Sequence, residues 1–352
     1  MYDFRQVEIE EAIIHGIGNR AREEELFLSQ NGLALDEGQK AVLLSYYLNP
    51  FKTDEYYQFV GEEAADEETR FNGNRMYNYV RDLYKEPENF VEHSQEIAKF
   101  LFELTTHPKI ATGELHVVRF SNLIIDEEVV NGVGFFKSET KEPFIKLMET
   151  GNNIDVNRQE GISLKKVDRA CLVFNTDKGN GYKILNIDKS KGDANPHWQY
   201  DFLAIQQRRE DFYNTNNFIS MIKNFSDEVL VEENNIQPSD QIAFIQRTED
   251  YLKNTDNFTS EEFVEEVIGD QEISDAFNNY IPNFESDYDL EIKKEFPISK
   301  QAVKSNKKYF KSVIKLDKSF HVYVHTNPDN LEKGFDSARS MKFYKLYYKE
   351  EE

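Results

Sequence analysis

The chain has a single cysteine, Cys171, so no internal disulfide can form. It stands in the apolar run Ala170 to Phe174, which suits a buried core thiol. A nucleophilic thiol needs exposed, electropositive surroundings. No segment approaches the roughly eighteen uncharged apolar residues of a membrane-spanning helix. The opening, MYDFRQVEIEEAIIH, has no positive region followed by a clean apolar stretch, so no secretory signal is legible and a cytosolic chain is expected. The sequons at Asn224 and Asn257 then carry no meaning.

Metal and nucleotide motifs are also missing. The histidines at 15, 93, 107, 116, 197, 321 and 325 fall on neither HExxH nor Cys/His spacing. His321 and His325 would share one face of a strand, with no third ligand nearby in sequence. Gly132-Val133-Gly134 and Gly179-Asn180-Gly181 lack the Lys-Ser/Thr of a phosphate loop and the third glycine of a dinucleotide fingerprint, and read as turns or bulges. No G-x-S-x-G elbow, internal repeat or low-complexity linker is present. No cofactor is expected.

What is present supports a folded chain. With 27 Phe, 19 Tyr and 39% apolar residues among 352, it can bury a sizeable core, and its length favours two or three substructures. Val7 to Ile17 and Leu26 to Leu35 read as two short strands. Asp36 can cap a helix to about Leu48, stopped at Asn49-Pro50, Asn72-Gly73 marks a turn, and a longer helix is expected from about Glu88 to Thr106. The period then changes. Leu115 to Phe120, Val129 to Lys137, Glu142 to Met148, Val167 to Phe174 and Tyr182 to Ile187 read as an antiparallel meander. From Gln206 the helical period returns, with Ser239 and Ser260 as N-caps. Ser299 is expected to cap a short helix over Lys300 to Ser305. Phe310 to Leu316 and Phe320 to His325 form a hairpin, and Met341 to Tyr348 is a third strand. The fold class is α+β: a mostly antiparallel sheet with flanking helices over 1–225, an acidic helical segment over 226–286, and a small α+β unit over 287–352.

Charge divides sharply. The net charge is -23, yet residues 287–352 carry 14 basic and 11 acidic side chains. Ser226 to Glu291 holds nineteen acids opposed only by Arg247 and Lys253. Just beyond, Lys300, Lys304, Lys307, Lys308, Lys311, Lys315 and Lys318 interleave with Tyr309, Phe310 and Phe320, and Asp317 is the one acid among them. Such a cluster gains phosphate affinity through counterion release. It equally fits a lysine-decorated sheet edge that prevents edge pairing. Lysine without arginine favours contact with the nucleic-acid backbone over base reading.

Glu139-Thr140-Lys141, with Asp126, Glu127 and Glu128 upstream, imitates the acid and E-x-K elements of magnesium-dependent nucleases. In a chain this rich in Glu and Lys the pattern also arises by chance in a solvated loop.

Three pieces together resemble the bacterial nucleoid-associated proteins of the NdpA type. They are Ala12-Ile13-Ile14-His15-Gly16-Ile17-Gly18-Asn19 with Leu26 to Leu35 behind it; the strands Gly113 to Phe120 and Gly132 to Lys137 followed by His197-Trp198 to Phe202-Leu203; and Glu295-Phe296-Pro297 leading to the basic hairpin Lys307 to His325. The resemblance spans nearly the whole chain. It implies a cytoplasmic, nucleoid-localised protein that associates with DNA and is linked to type II topoisomerases, with no catalytic residues to carry over. His15, Gly18 and Asn19 match the family's opening, and a buried histidine bonded to backbone is the default reading there. Three functions follow as expectations: nonspecific DNA association through the basic unit, an acidic adaptor that docks on a DNA-acting enzyme such as a topoisomerase, and a metal-dependent nuclease. Pairing of the acidic and basic segments between two copies would give a salt-sensitive homodimer.

Overall fold

A computed structural model describes residues 2–62, 69–189, 197–231, 234, 236–310, 312–317, 319–324 and 330–350. The chain divides into two compact units, Met1–Arg208 and Arg209–Glu352.

In the first unit the elements run β1 (Tyr2–Asp3), β2 (Glu8–Ile17), β3 (Leu26–Phe27), α1 (Glu37–Leu48), β4 (Tyr56–Phe59), α2 (Arg75–Lys85), α3 (Phe90–Glu103), β5 (Gly113–Ile125), β6 (Glu128–Ser138), β7 (Lys141–Thr150), β8 (Asn153–Ile162), β9 (Arg169–Phe174), β10 (Lys183–Asp188) and β11 (Ile205–Gln207). Nine of these strands form one sheet in the order β11-β4-β10-β9-β6-β5-β2-β3, with β1 also on β5. Every pairing in it is antiparallel.

Alternation along the strands sorts side chains to two faces. Ile13, Leu115, Val117, Val133, Phe135, Cys171, Val173 and Ile184 pack with Met76, Val80 and Leu83 of α2 and Ile97 and Leu101 of α3. Ala12, Val118, Phe120, Phe136, Leu172, Phe174 and Leu185 pack with Tyr46 and Tyr47 of α1. Cover on both faces is why Ala170 to Phe174 is apolar without alternation. The same burial pushes the Cys171 thiol far above its ordinary pKa, which suits a core group.

Local signals account for several element ends. Asp36 accepts from the Gln39 amide at 2.8 Å while the Gln39 side chain accepts from the Asp36 amide at 3.0 Å, a full capping box that opens α1. The long helix is shorter than expected, because Pro87–Asn89 winds as a 3-10 turn and α3 starts at Phe90. Of the alternating stretch Leu26 to Leu35 only Leu26–Phe27 pairs, with Gly16 and Ile17.

β7 and β8 leave the meander altogether. They pair with each other from Lys141↔Ile162 to Thr150↔Asn153, while β6 pairs directly with β9.

The second unit contains α4 (Asp211–Glu228), α5 (Pro238–Asn254), β12 (Asn257–Thr259), α6 (Ser260–Phe263) with a π-turn over Val264–Ile268, α7 (Gln271–Tyr288), β13 (Glu295–Pro297), α8 (Lys300–Ser305), β14 (Ser312–Leu316), β15 (Phe320–Val324), β16 (Leu331–Asp336) and β17 (Met341–Leu346). The residues expected as a separate acidic segment share one aromatic core with those after it. Phe244, Phe263 and Phe277 cluster with Phe296, Val303 and Phe310. Phe258 and Phe296 face each other across β12–β13 and stack at 4.7 Å. Two caps differ from expectation, by one residue at α6 and by two at α5, where Gln237 is the N-cap. Thr259, not Ser260, accepts from the Glu262 amide, and Pro238 takes the first helical position of α5, ahead of Ser239. The expected third strand, β17, pairs with β16 as a hairpin of its own, apart from β14–β15.

Candidate nucleic-acid interface

The lysine stretch is organised by α8. The Ser299 hydroxyl accepts from the Ala302 amide at 3.1 Å and starts the helix. Ala302 and Val303 are buried, which turns Lys304 outward. Asn306 ends it, its Nδ2 donating to the Ala302 carbonyl and to Asn216 Oδ1, both at 2.9 Å.

The seven lysines then part company. Lys300 Nζ donates to the carbonyls of Leu252, at 3.2 Å, and Thr255, and lies 3.6 Å from Asp256. It closes the C-terminal end of α5, where carbonyls lack helical partners. Lys304, Lys307 and Lys308 are exposed, and among the described residues none has a carboxylate within 4.0 Å. Lys308 Nζ stands 4.8 Å from the centre of the Tyr309 ring. Lys315 stands on β14 opposite His321. Lys311, Lys318 and His325 lie outside the described residues.

β16–β17 adds a face that the sequence reading missed. Its register puts Leu331 opposite Leu346, Lys333 opposite Tyr344, and Phe335 opposite Lys342, all on one side. Burial first, and the neighbouring Lys342 second, lower the pKa of Lys333. Glu332 and Asp336 are on the other side, paired with Lys345 at 2.9 Å and Arg339 at 3.8 Å. Period-two alternation of Lys333-Gly334-Phe335 and Lys342-Phe343-Tyr344 was the signal that could have revealed it.

The nuclease-like residues do not assemble. Asp126 is in the turn at one end of β5–β6, bonded to Lys183 at 2.7 Å, and Glu139 is past the other end, where Glu114 pairs with Ser138. Ten or so residues of strand separate them, about 35 Å. Lys141 turns to Glu114 at 2.7 Å.

Glu139 instead joins a buried charge cluster. It accepts from Lys137 Nζ at 2.8 Å and lies 3.2 Å from Arg169 Nε. Lys137 is fully buried and also donates to the Ala111 carbonyl at 2.6 Å. Asp168 receives the Glu139 and Thr140 amides at 2.8 and 2.9 Å and the Thr140 hydroxyl at 3.0 Å. Desolvation lowers the Lys137 pKa, and Glu139 works against it. Among the described residues no group of three or more His, Cys, Asp or Glu side chains could hold a metal ion.

The opening motif is a structural junction. The Ser29 amide donates to His15 Nδ1 at 3.2 Å, so the ring proton is on Nε2, which donates to Ser94 Oγ at 3.0 Å. Ser94 passes a bond to the Val91 carbonyl at 2.7 Å, tying β2 to α3. Asn19 accepts from the Ala21 amide and donates to the His107 and Ile110 carbonyls at 3.0 and 2.8 Å. At Gly18 a Cβ would lie 2.3 Å from the Glu25 carbonyl oxygen. Gly18→Ala is therefore expected to destabilise the first unit by about 1–3 kcal/mol, read from denaturant midpoints. An unchanged midpoint would show that the backbone at 24–25 yields.

No curated protein matches the chain significantly. Over residues 13–338, from within β2 through most of both units, it matches the family described as nucleoid-associated protein YejK (NA37), and the chain belongs to that family.

Proposed function

We propose that the chain is a non-enzymatic protein of the cytoplasmic nucleoid that holds DNA nonspecifically, through lysine contacts from its second unit to the phosphate backbone. The observation that carries this reading is the group Lys304, Lys307 and Lys308, exposed at the end of α8 with no carboxylate in reach among the described residues. Lys311, Lys315 and Lys318 continue the same stretch, and Lys333 and Lys342 offer a second cationic face. Lys300 contributes potential rather than contact, since carbonyls occupy its ammonium. The acidic helices do not forbid this, because repulsion beyond about 8 Å is screened at physiological ionic strength.

Each phosphate contact contributes about 0.9 to the slope of log K against log salt concentration. The triple substitution Lys304→Gln, Lys307→Gln, Lys308→Gln should flatten that slope by about 2.7 and weaken binding equally for unrelated sequences. Fluorescence anisotropy across a salt series reads it, and an unchanged slope would remove the proposal.

A second reading has its own support. Glu261, Glu265, Glu266, Glu272 and Asp275 are exposed together along α6, the π-turn and α7. They suit docking on a basic face of a DNA-acting enzyme such as a type II topoisomerase, with nucleoid association then indirect. Reversing these acids to lysine would then release the enzyme in nuclease-treated lysate. Retention of the enzyme would exclude that reading.

A further inference from the structure

The arm formed by β7 and β8 is amphipathic although none of the described residues covers it. All residues from Lys141 to Glu160 are exposed. The register places Pro143, Ile145, Leu147, Ile154, Val156 and Ile162 on one side, together with Lys141 and Glu149 at its ends and Arg158 and Glu160 on β8. Ile145, Leu147, Ile154 and Val156 are 64–68% exposed. The opposite side carries Glu142, Lys146, Asn153, Asp155, Asn157 and Gln159, with Phe144 and Met148 among them. A two-stranded ribbon alone is marginal in water, and a contiguous bare apolar face marks a contact surface.

We infer that this face pairs with the same face of a second copy of the chain, two arms stacking antiparallel about a two-fold axis. Charge selects the occupant. The arm has four acids and three bases in a chain of net charge -23, so it is the place where two such chains meet without strong repulsion. Antiparallel stacking also keeps the bases of the arms about 34 Å apart, several screening lengths.

The layout is self-complementary. A two-fold axis through the row of Ile145 and Arg158 sets Ile145 on Ile145 of the second copy. It sets Leu147 on Pro143, Ile154 on Ile162, and Val156 beside Glu160 of the second copy, by the spacing of the register, while Lys141 stays with Glu114 of its own chain. The same axis brings Arg158 to Arg158 of the second copy at the centre of the face, where each is already neutralised by Glu160 at 2.9 Å within its own arm.

Each arm offers about 34 Å by 10 Å, near 340 Å². That is under half of what a standard interface takes from each partner, so the dimer is reversible and concentration-dependent.

Sedimentation equilibrium of the full chain tests this over a concentration series to about 200 µM. Wild type should pass from monomer to dimer, and Leu147→Asp with Ile154→Asp should lower the association constant tenfold or more with an unchanged melting temperature. Raising salt should not weaken the wild-type dimer, whereas pairing of basic and acidic segments would weaken. Ile145→Cys should form a disulfide-linked dimer on oxidation, since Cys171 is buried. A wild type that stays monomeric, a dimer that survives the aspartates, or one that dissolves in salt would each overturn the inference.

Discussion

Glu139→Ala is expected to destabilise the first unit by about 3–5 kcal/mol, the range for removing one partner of a buried ion pair. The carboxylate leaves Lys137, fully buried, and Arg169, with a side chain 5% exposed, as two adjacent cations in an apolar sheet. Asp188, 3.7 Å from Arg169, offsets only part of that loss. Glu139→Gln should cost less, because an amide still accepts from Lys137 Nζ. The double change Lys137→Met, Glu139→Leu should recover much of the loss, since an apolar pair of similar volume replaces the charges. Urea unfolding monitored through Trp198 would measure all three. The outcome also separates two roles for the E-x-K sequence: a catalytic glutamate would lose activity and keep its stability.

Acidification should be as costly. Burial holds the pKa of His15, His116 and His197 at about 4, against 6.5 ordinarily, with Glu114 partly opposing the shift at His116 and with Lys137 and Arg169 adding to it at His197. Below pH 6.5 the unfolded chain binds a proton that each folded site refuses until about pH 4. Stability is therefore complete above pH 6.5 and declines as pH falls toward 4. One pKa unit is worth about 1.4 kcal/mol, so His116 alone accounts for about 3 kcal/mol by pH 4, with the other two acting in the same direction. His116 is enclosed by Tyr46 and Tyr47, whose hydroxyl is 2.9 Å from Nδ1. Unfolding free energies from pH 8 to 4 should trace this decline, and His116→Phe should flatten it. A flat profile in the wild type would show that these rings protonate in place.

Signals carried by a few neighbouring residues were legible in the sequence. Asp36 and Gln39 are three apart, so their capping box is written in the chain itself. Ser299 was placed as the cap of α8 for the same reason. The α+β class and the antiparallel strands followed from period alone. Features that depend on distant partners were hidden. β4 pairs only through β10 and β11, far along the chain, and α2 opens at Asn74, whose Oδ1 accepts from the Tyr77 amide at 3.0 Å, just after a turn that drew attention first. Glu142 to Met148 has strand period, but period does not say whether a strand joins the main sheet. Within the lysine stretch, sequence could not tell that Lys300 reaches carbonyls some fifty positions back while Lys304 and Lys308 point outward. His15, Gly18 and Asn19 stand close together in the sequence, but their partners Ser94, His107 and Ile110 lie some eighty to ninety positions away.

The excursion from β6 to β9 bears on the order of folding. Lys137 must find Arg169 across an open loop of about thirty residues if nothing intervenes. The arm folds on local contacts around Gly151-Asn152, and once zipped it shortens that loop to about ten effective residues. Loop-closure entropy then falls by about 1 kcal/mol. An arm that zips outside the sheet thus eases the central pairing, and a long insertion at its tip, which makes the zipping non-local, should slow the docking of β9.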